Sequence, residues 1–200
     1  MRTFPTILIG IVGAFGSYAA QAQAFDAQAP AFDAQAQALE LRSPDIAPDS
    51  TIKDTYVFNG FGCTGQNTSP AMAWRNAPLG TQSFALMVHD PDAPTGGAGF
   101  WHWVVVNVPL TTGSLPSGSG TTPGTALPSG ARQIATDFGV PGWGGPCPPV
   151  GDKPHRYVFT VYALKVEKLD LPPNATASLT GFMVNANALG RASFSAWYGR

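Results

Sequence analysis

The stretch FALMVHDPDAPTGGAGFWHWVVVNV, Phe84–Val108, decides the fold. A strand runs to His89, an acidic and proline-stiffened turn follows, and a second strand begins at Trp101. Strict alternation puts Phe84, Leu86 and Val88 on one face of the first strand and Ala85, Met87 and His89 on the other. In the turn, Pro91 and Pro94 restrict the backbone around the acid pair Asp90 and Asp92. A polar cluster at a strand end, next to aromatic residues, marks the rim of a pocket.

Upstream, Leu39 and Leu41 alternate with polar residues as a first strand, which Ser43-Pro44-Asp45 ends. Thr51–Phe58 reads as a second strand, with a turn at Asn59-Gly60, a strong hairpin signal. An irregular loop, Phe61–Pro70, leads to a brief strand at Ala71–Trp74. Downstream, Leu110–Gly130 is rich in Thr, Ser, Gly and Pro and reads as a long surface excursion. Ala135–Phe138 is a brief pairing segment, and Val140–Gly151 is a loop dense in glycine and proline. Arg156–Val166 forms a long strand, with Tyr157, Phe159 and Val161 on one face and Val158, Tyr162 and Leu164 on the other. Leu179, Phe182, Met183, Ala186 and Leu189 then recur at helical spacing within Ala175–Leu189, and Gly190 is the expected cap. Ser193–Tyr198 closes the chain as a strand. Many short strands, many turns and one late helix predict a mostly antiparallel β domain. The regular strand–helix alternation of a dinucleotide-binding sheet is absent.

The first 24 residues read as a signal peptide. Arg2 supplies the positive end, Ile7–Phe15 the short apolar run, and Ala20-Gln21-Ala22 or Ala22-Gln23-Ala24 the cleavage site. AFDAQA occurs at Ala24–Ala29 and again at Ala31–Ala36, residues 25–38 are expected to be a disordered Ala/Gln-rich spacer, and the domain proper spans 39–200. This arrangement predicts a periplasmic or secreted protein with no integral membrane segment after cleavage. Eleven basic and twelve acidic side chains give a net charge of −1 with no basic stripe, which weighs against nucleic acid. The two cysteines, Cys63 and Cys147, read as one disulfide in an oxidising compartment, or else as two separate buried thiols.

There are three histidines. His102, between Trp101 and Trp103, shares its predicted face with Val104, Val106 and Val108, where a satisfied core histidine is the plainer reading. His155, two residues before Tyr157, is open to both readings, and His89 is the least distinctive. The combination says more. Asp90, His102 and His155 lie at strand ends of an otherwise apolar chain, and Gly144-Gly145 offers backbone N–H groups to an anion. Imidazole and phenol donors with a carboxylate to fix tautomers make a sensible anion pocket. The same residues could assemble a metal site, but nothing in the spacing demands one. GxSxG, HExxH, GxxxxGK[ST] and GxGxxG are all absent, and no serine in these segments has an evident base. Binding without catalysis or cofactor is therefore expected.

DPDAP at Asp90–Pro94, WHWVVVN at Trp101–Asn107, GGPCPP at Gly144–Pro149 and HRYVFTVYAL at His155–Leu164 together resemble the phosphatidylethanolamine-binding protein family. The match is to its bacterial Raf-kinase-inhibitor-like branch, and FGCTGQNTSPAMAW at Phe61–Trp74 fits that branch as well. The resemblance implies an antiparallel β-sandwich with a Greek-key core and peripheral helices. It also implies a small cavity for phosphate-like or carboxylate anions or phospholipid head groups. The matching positions are Asp90, His102, Gly145, Pro146, His155 and Tyr157, with Asp90 positioning the donors and Asp92 holding the turn through an Asx-type bond. In place of the pocket tyrosine of animal members the chain has only Gly97, Ala98 and Gly99, and the C-terminal helix that shapes the cavity looks altered. A different class of function is an inhibitor or interaction protein acting on a protease or kinase, with residues 111–130 as its contact surface.

Overall fold

The computed structural model describes residues 38–122, 124 and 126–200. The predicted signal peptide and the spacer up to residue 37 lie outside the described residues. In chain order the elements are β1 (Glu40–Arg42), β2 (Asn59–Gly60), β3 (Cys63–Thr64), β4 (Met72–Arg75), β5 (Ser83–Asp90) and β6 (Phe100–Pro109). They continue with β7 (Ser114–Leu115), β8 (Arg132–Gln133), β9 (His155–Leu164), α1 (Ala177–Asn187) and β10 (Ala188–Tyr198).

Alternation in β5 and β9 builds the frame. These strands lie at the centre of a five-stranded antiparallel sheet ordered β10-β9-β5-β6-β8. One face carries Phe84, Leu86, Val88, Tyr157, Phe159 and Val161, packed against Met72, Trp74 and Leu115 of a three-stranded sheet ordered β1-β4-β7. The other face carries Ala85, Met87, Tyr162 and Leu164 and packs under α1 through Ala177 and Val184. Both faces are covered, so almost every residue of β5 is buried. Each large side chain buried this way stabilises the fold by roughly 1.5–3 kcal/mol. The result is a mostly β sandwich with a single helix among the described residues, and that helix is too short to cross a membrane.

Four local expectations are corrected. First, β6 does not alternate regularly. Val88 pairs with Trp103 but His89 pairs with Trp101, so His102 is the extra residue of a bulge. Trp101 packs on the helix side, Trp103 in the sandwich core, and Val104 and Val106 on the helix side. His102 turns instead towards Phe100, Phe138 and Tyr157, away from the valine row predicted for it. A bulge re-aims a side chain in just this manner.

Second, the Thr51–Phe58 strand is not formed. Thr51 only bridges to Trp197, and Asp54–Tyr56 is a 3₁₀ turn. The hairpin turn expected at Asn59-Gly60 falls two residues later, at Phe61-Gly62, because Gly60 pairs with Cys63. Third, the helix buries Ala177, Thr180, Gly181 and Val184, while Leu179, Phe182 and Leu189 of the predicted stripe are exposed. This face lies over Met87, from whose side chain a Cβ at Gly181 would sit at an ordinary contact distance of 3.6 Å. Fourth, Thr176 caps the helix start by accepting from Leu179 N at 3.1 Å, but Gly190 caps nothing and lies inside β10.

The excursion after β6 is anchored more than its composition implies. Leu115 is fully buried, and the Gly120 N–H donates to Ser69 Oγ at 2.7 Å. The cysteines are bonded, Cys63 to Cys147, across a separation of 84 residues. This ties the β2–β3 hairpin to the Gly144–Pro149 segment. Closing so long a loop is worth about 4–5 kcal/mol by the chain-entropy argument, and commonly less when measured. A Cys63→Ala/Cys147→Ala variant is expected to lose about 2–4 kcal/mol in urea unfolding. Reductant is expected to shift the wild type similarly, and an unmoved wild-type midpoint under reductant would contradict this role.

Candidate functional site

Antiparallel pairing explains why residues far apart in sequence meet. β5 ends at Asp90, where β6 begins with Phe100 and β9 with His155, so one end of the sheet collects all three. Asp90 is almost fully buried and divides its carboxylate between two tasks. Oδ1 accepts from the backbone N–H groups of Asp92 at 2.9 Å and Ala93 at 3.0 Å, closing an Asx-type turn. Oδ2 lies 2.8 Å from His155 Nδ1, which donates to it. The Asx bond expected of Asp92 is therefore made by Asp90. Asp92 instead accepts the Arg156 N–H at 2.8 Å and clamps the turn to β9.

His155 Nε2 faces Asp152 Oδ2 at 3.4 Å, a second carboxylate that the sequence reading did not single out. His102 Nδ1 lies 2.6 Å from the Gly144 carbonyl oxygen. A carbonyl only accepts, so Nδ1 carries the proton and Nε2 is left as an acceptor. Burial lowers the His102 pKa to about 4, against partial opposition from the Gly144 carbonyl and the Asp90 charge. At neutral pH the ring is uncharged. Tyr157 stands edge-on to it at 5.1 Å, and its hydroxyl is buried with no hydrogen-bond partner among the described residues. Burial, then the negative charge of Asp90 and the closeness of its carboxylate to the hydroxyl, push the Tyr157 pKa upwards, so it remains a phenol and a donor, although the two groups do not meet in hydrogen-bond geometry.

These side chains open onto one cavity of about 170 Å³. Asp90, His102, His155 and Tyr157 form its polar part, while Phe61, Phe100 and Phe138 wall it and Pro94, Pro148 and Pro149 complete the rim. Phe138 organises the wall, 4.9 Å from Phe100 and stacked on Phe61 at 6.0 Å. None of the three wall residues was singled out in the sequence. Phe61 lay in a segment read only as a loop, and Phe138 closed a segment read only for pairing. No tyrosine replaces the one missing near Gly97–Gly99. Gly99 itself has no room for a Cβ, which would collide with His89 and the Asp90 carbonyl oxygen.

Gly145 and Pro146 do not line the cavity. The Gly145 N–H donates to Asn67 Oδ1 at 2.8 Å, and the Gly144 N–H to the His102 carbonyl at 2.9 Å. Both donors expected for an anion are thus engaged within the fold. Gly145 is required for packing, because a Cβ there would strike the Tyr56 carbonyl oxygen. Pro146 accepts the Phe58 N–H at 3.1 Å. His89 packs at a tilt against Trp101, 4.2 Å between ring centres, outside the cavity. Among the described residues no group of three or more metal-ligating side chains converges.

A sequence model of the phosphatidylethanolamine-binding proteins matches residues 42–199. The chain belongs to the phosphatidylethanolamine-binding protein family. It is 50% identical over 193 residues to YbcL of Escherichia coli K12, covering 96% of this chain and 97% of that one. To YbhB of the same organism it is 44% identical over 160 residues, covering 80% and 99%. The crystal structure of E. coli YbcL superposes with a TM-score of 0.79 at 48% identity, covering 81% of this chain and 98% of that one. A family homologue from Chlamydia trachomatis gives 0.67 at 26% identity, covering 82% and 98%. The similarity to YbcL and YbhB places the chain in the bacterial branch that its motifs indicate.

His102 sets a pH dependence. Its folded pKa, about 4, lies below the 6.5 of a free imidazole, so the unfolded chain binds more protons between those values. The contribution to stability is complete above about pH 6.5 and is lost as the pH falls towards 4, on the order of 2–3 kcal/mol in all. His102→Gln, which keeps a donor for Gly144, is expected to flatten this part of the stability–pH curve in urea titrations. Parallel curves for the two proteins would refute the assignment.

Proposed function

We propose that the protein binds a small anion without turning it over, in the cavity formed by Asp90, His102, His155 and Tyr157. The class is phosphate, a phospho head group or a carboxylate. The observation that carries this reading is the Tyr157 hydroxyl, a buried donor without a partner at the cavity. An unsatisfied buried polar group costs about 1–3 kcal/mol, and a ligand oxygen would relieve that cost. The family's name and the cavity's residues support the same reading.

The polar groups favour phosphate over carboxylate. Neutral His102 presents an acceptor, and Asp90 brings a negative charge, so the ligand has to bring a proton. A phosphate monoester retains one below its second pKa of about 6, whereas a free carboxylic acid loses its proton near pH 4. Holding the monoanion at neutral pH therefore costs a phosphate far less. The disulfide and the leader-like N-terminus support placing this binding outside the cytoplasm, in the periplasm or secreted medium.

Calorimetric titration with phosphoethanolamine tests the reading. Affinity is expected to fall between pH 6 and pH 8, by up to about ten-fold per unit as the monoanion disappears. Tyr157→Phe is expected to weaken binding at least about ten-fold while leaving thermal stability unchanged or raised, since the lost hydroxyl has no partner in the empty protein. Absence of binding at millimolar ligand, or equal binding by Tyr157→Phe, would overturn it.

A further inference from the structure

We propose that Phe61 determines specificity, its ring closing on an apolar group attached directly to the ligand's phosphate. The preferred ligand is then a small phosphate monoester rather than free inorganic phosphate. The proposal rests on the anion-binding reading and adds the chemistry of the ligand's other end.

The first observation is the backbone. Phe61 and Gly62 form the two-residue loop of the β2–β3 hairpin with φ of +52° and +85°. Such a pair of positive values is the pattern of a type I′ turn, whose first position favours Asn, Asp or Gly. A bulky side chain in the left-handed region costs roughly 1–2 kcal/mol. In return the fold gains only ring contacts with Phe58 at 5.3 Å and Phe138 at 6.0 Å, and Phe61 remains 71% exposed. An aromatic residue that is both strained and exposed, at the edge of a cavity, is better explained by what it meets there.

The second observation is where the ring lies. Phe61 lines the cavity, stacked on Phe138, which in turn meets Phe100 edge-on at 4.9 Å. The Cys63–Cys147 bond ties the hairpin to the segment that carries Pro148 and Pro149, which also line the cavity. A bare phosphate would satisfy the polar groups and leave this aromatic wall facing water. The volume of about 170 Å³ is well below the 300–1,000 Å³ of pockets that enclose drug-sized molecules, so only the acid and its first few carbons fit.

The test compares inorganic phosphate with phenyl phosphate on the wild type and on Phe61→Asn. Asparagine suits the turn, so the variant is expected to melt no lower than the wild type, and misfolding does not confuse the result. The wild type is expected to bind phenyl phosphate about ten-fold or more tighter than phosphate, in line with burying one ring face. Phe61→Asn is expected to lose that advantage, so that the ratio of its two affinities falls towards one. Equal affinities in the wild type, or a preference kept by the variant, would overturn the proposal and leave the anion site standing. Failure of the wild type to bind either probe would remove the anion reading together with it. Sedimentation with phosphatidylcholine vesicles carrying phosphatidic acid, a lipid whose phosphate is a monoester, then distinguishes the sources. Phe61-dependent co-sedimentation assigns the substituent to a lipid, and its absence alongside phenyl phosphate preference assigns it to a free ester.

Discussion

One buried carboxylate holds the site together. Asp90 closes the turn that follows β5 with one oxygen and fixes the Nδ1 side of His155 with the other. A charge this deep is tolerable only when nearly all its lone pairs are used, and here three donors converge on it. Removing it would release the turn and the imidazole together. It would also leave the Ala93–Pro94 edge of the cavity without its anchor. The cavity is therefore a consequence of strand order. β5 lies between β6 and β9, and only that arrangement brings Asp90, His102 and His155 to one end of the sheet.

The polar and apolar parts of the site obey different rules. The floor side chains are carried near strand ends, and Asp90, His102 and His155 are each hydrogen-bonded within the fold, His102 through Nδ1 alone. The wall consists of rings, two of them on loops. Phe61 is held by a hairpin that the disulfide ties down, and Phe138 follows β8 in a segment bridged to Pro141 and Thr176 through Ala135. Polar groups on strand ends below and rings on anchored loops above suit a protein that recognises a small acid at its base and distinguishes ligands by what protrudes.

Much of this was legible in the residues. The period-two alternation of β5 and β9 gave both faces of the central sheet, and the motifs gave Asp90, His102, His155 and Tyr157 as a set. Features that depend on partners were not legible. The bulge that re-aims His102 exists only in the register between β5 and β6, and no single strand records it. The helix buries Ala177, Thr180, Gly181 and Val184 and leaves Leu179 and Phe182 exposed, a choice made by the sheet it packs on and not by its own apolar pattern. The turn lies at Phe61-Gly62 because Gly60 pairs with Cys63, a register that the Asn-Gly signal alone does not record. Gly144 and Gly145 looked like an anion nest, but their N–H groups are taken by His102 and Asn67. The aromatic wall left no local signal, because a phenylalanine in a loop reads the same whether it packs inward or lines a cavity.

Imidazole nitrogen chemical shifts, read from long-range ¹H–¹⁵N correlation spectra at pH 7 before and after saturation with phosphate, address the central claim most directly. The account requires His102 in its neutral form, with the proton on Nδ1 and a bare Nε2 that shifts upfield as the ligand donates to it. It also requires His155 to keep its proton on Nδ1, held by Asp90. A His102 protonated on Nε2, or imidazole signals unmoved by saturating phosphate, would contradict it.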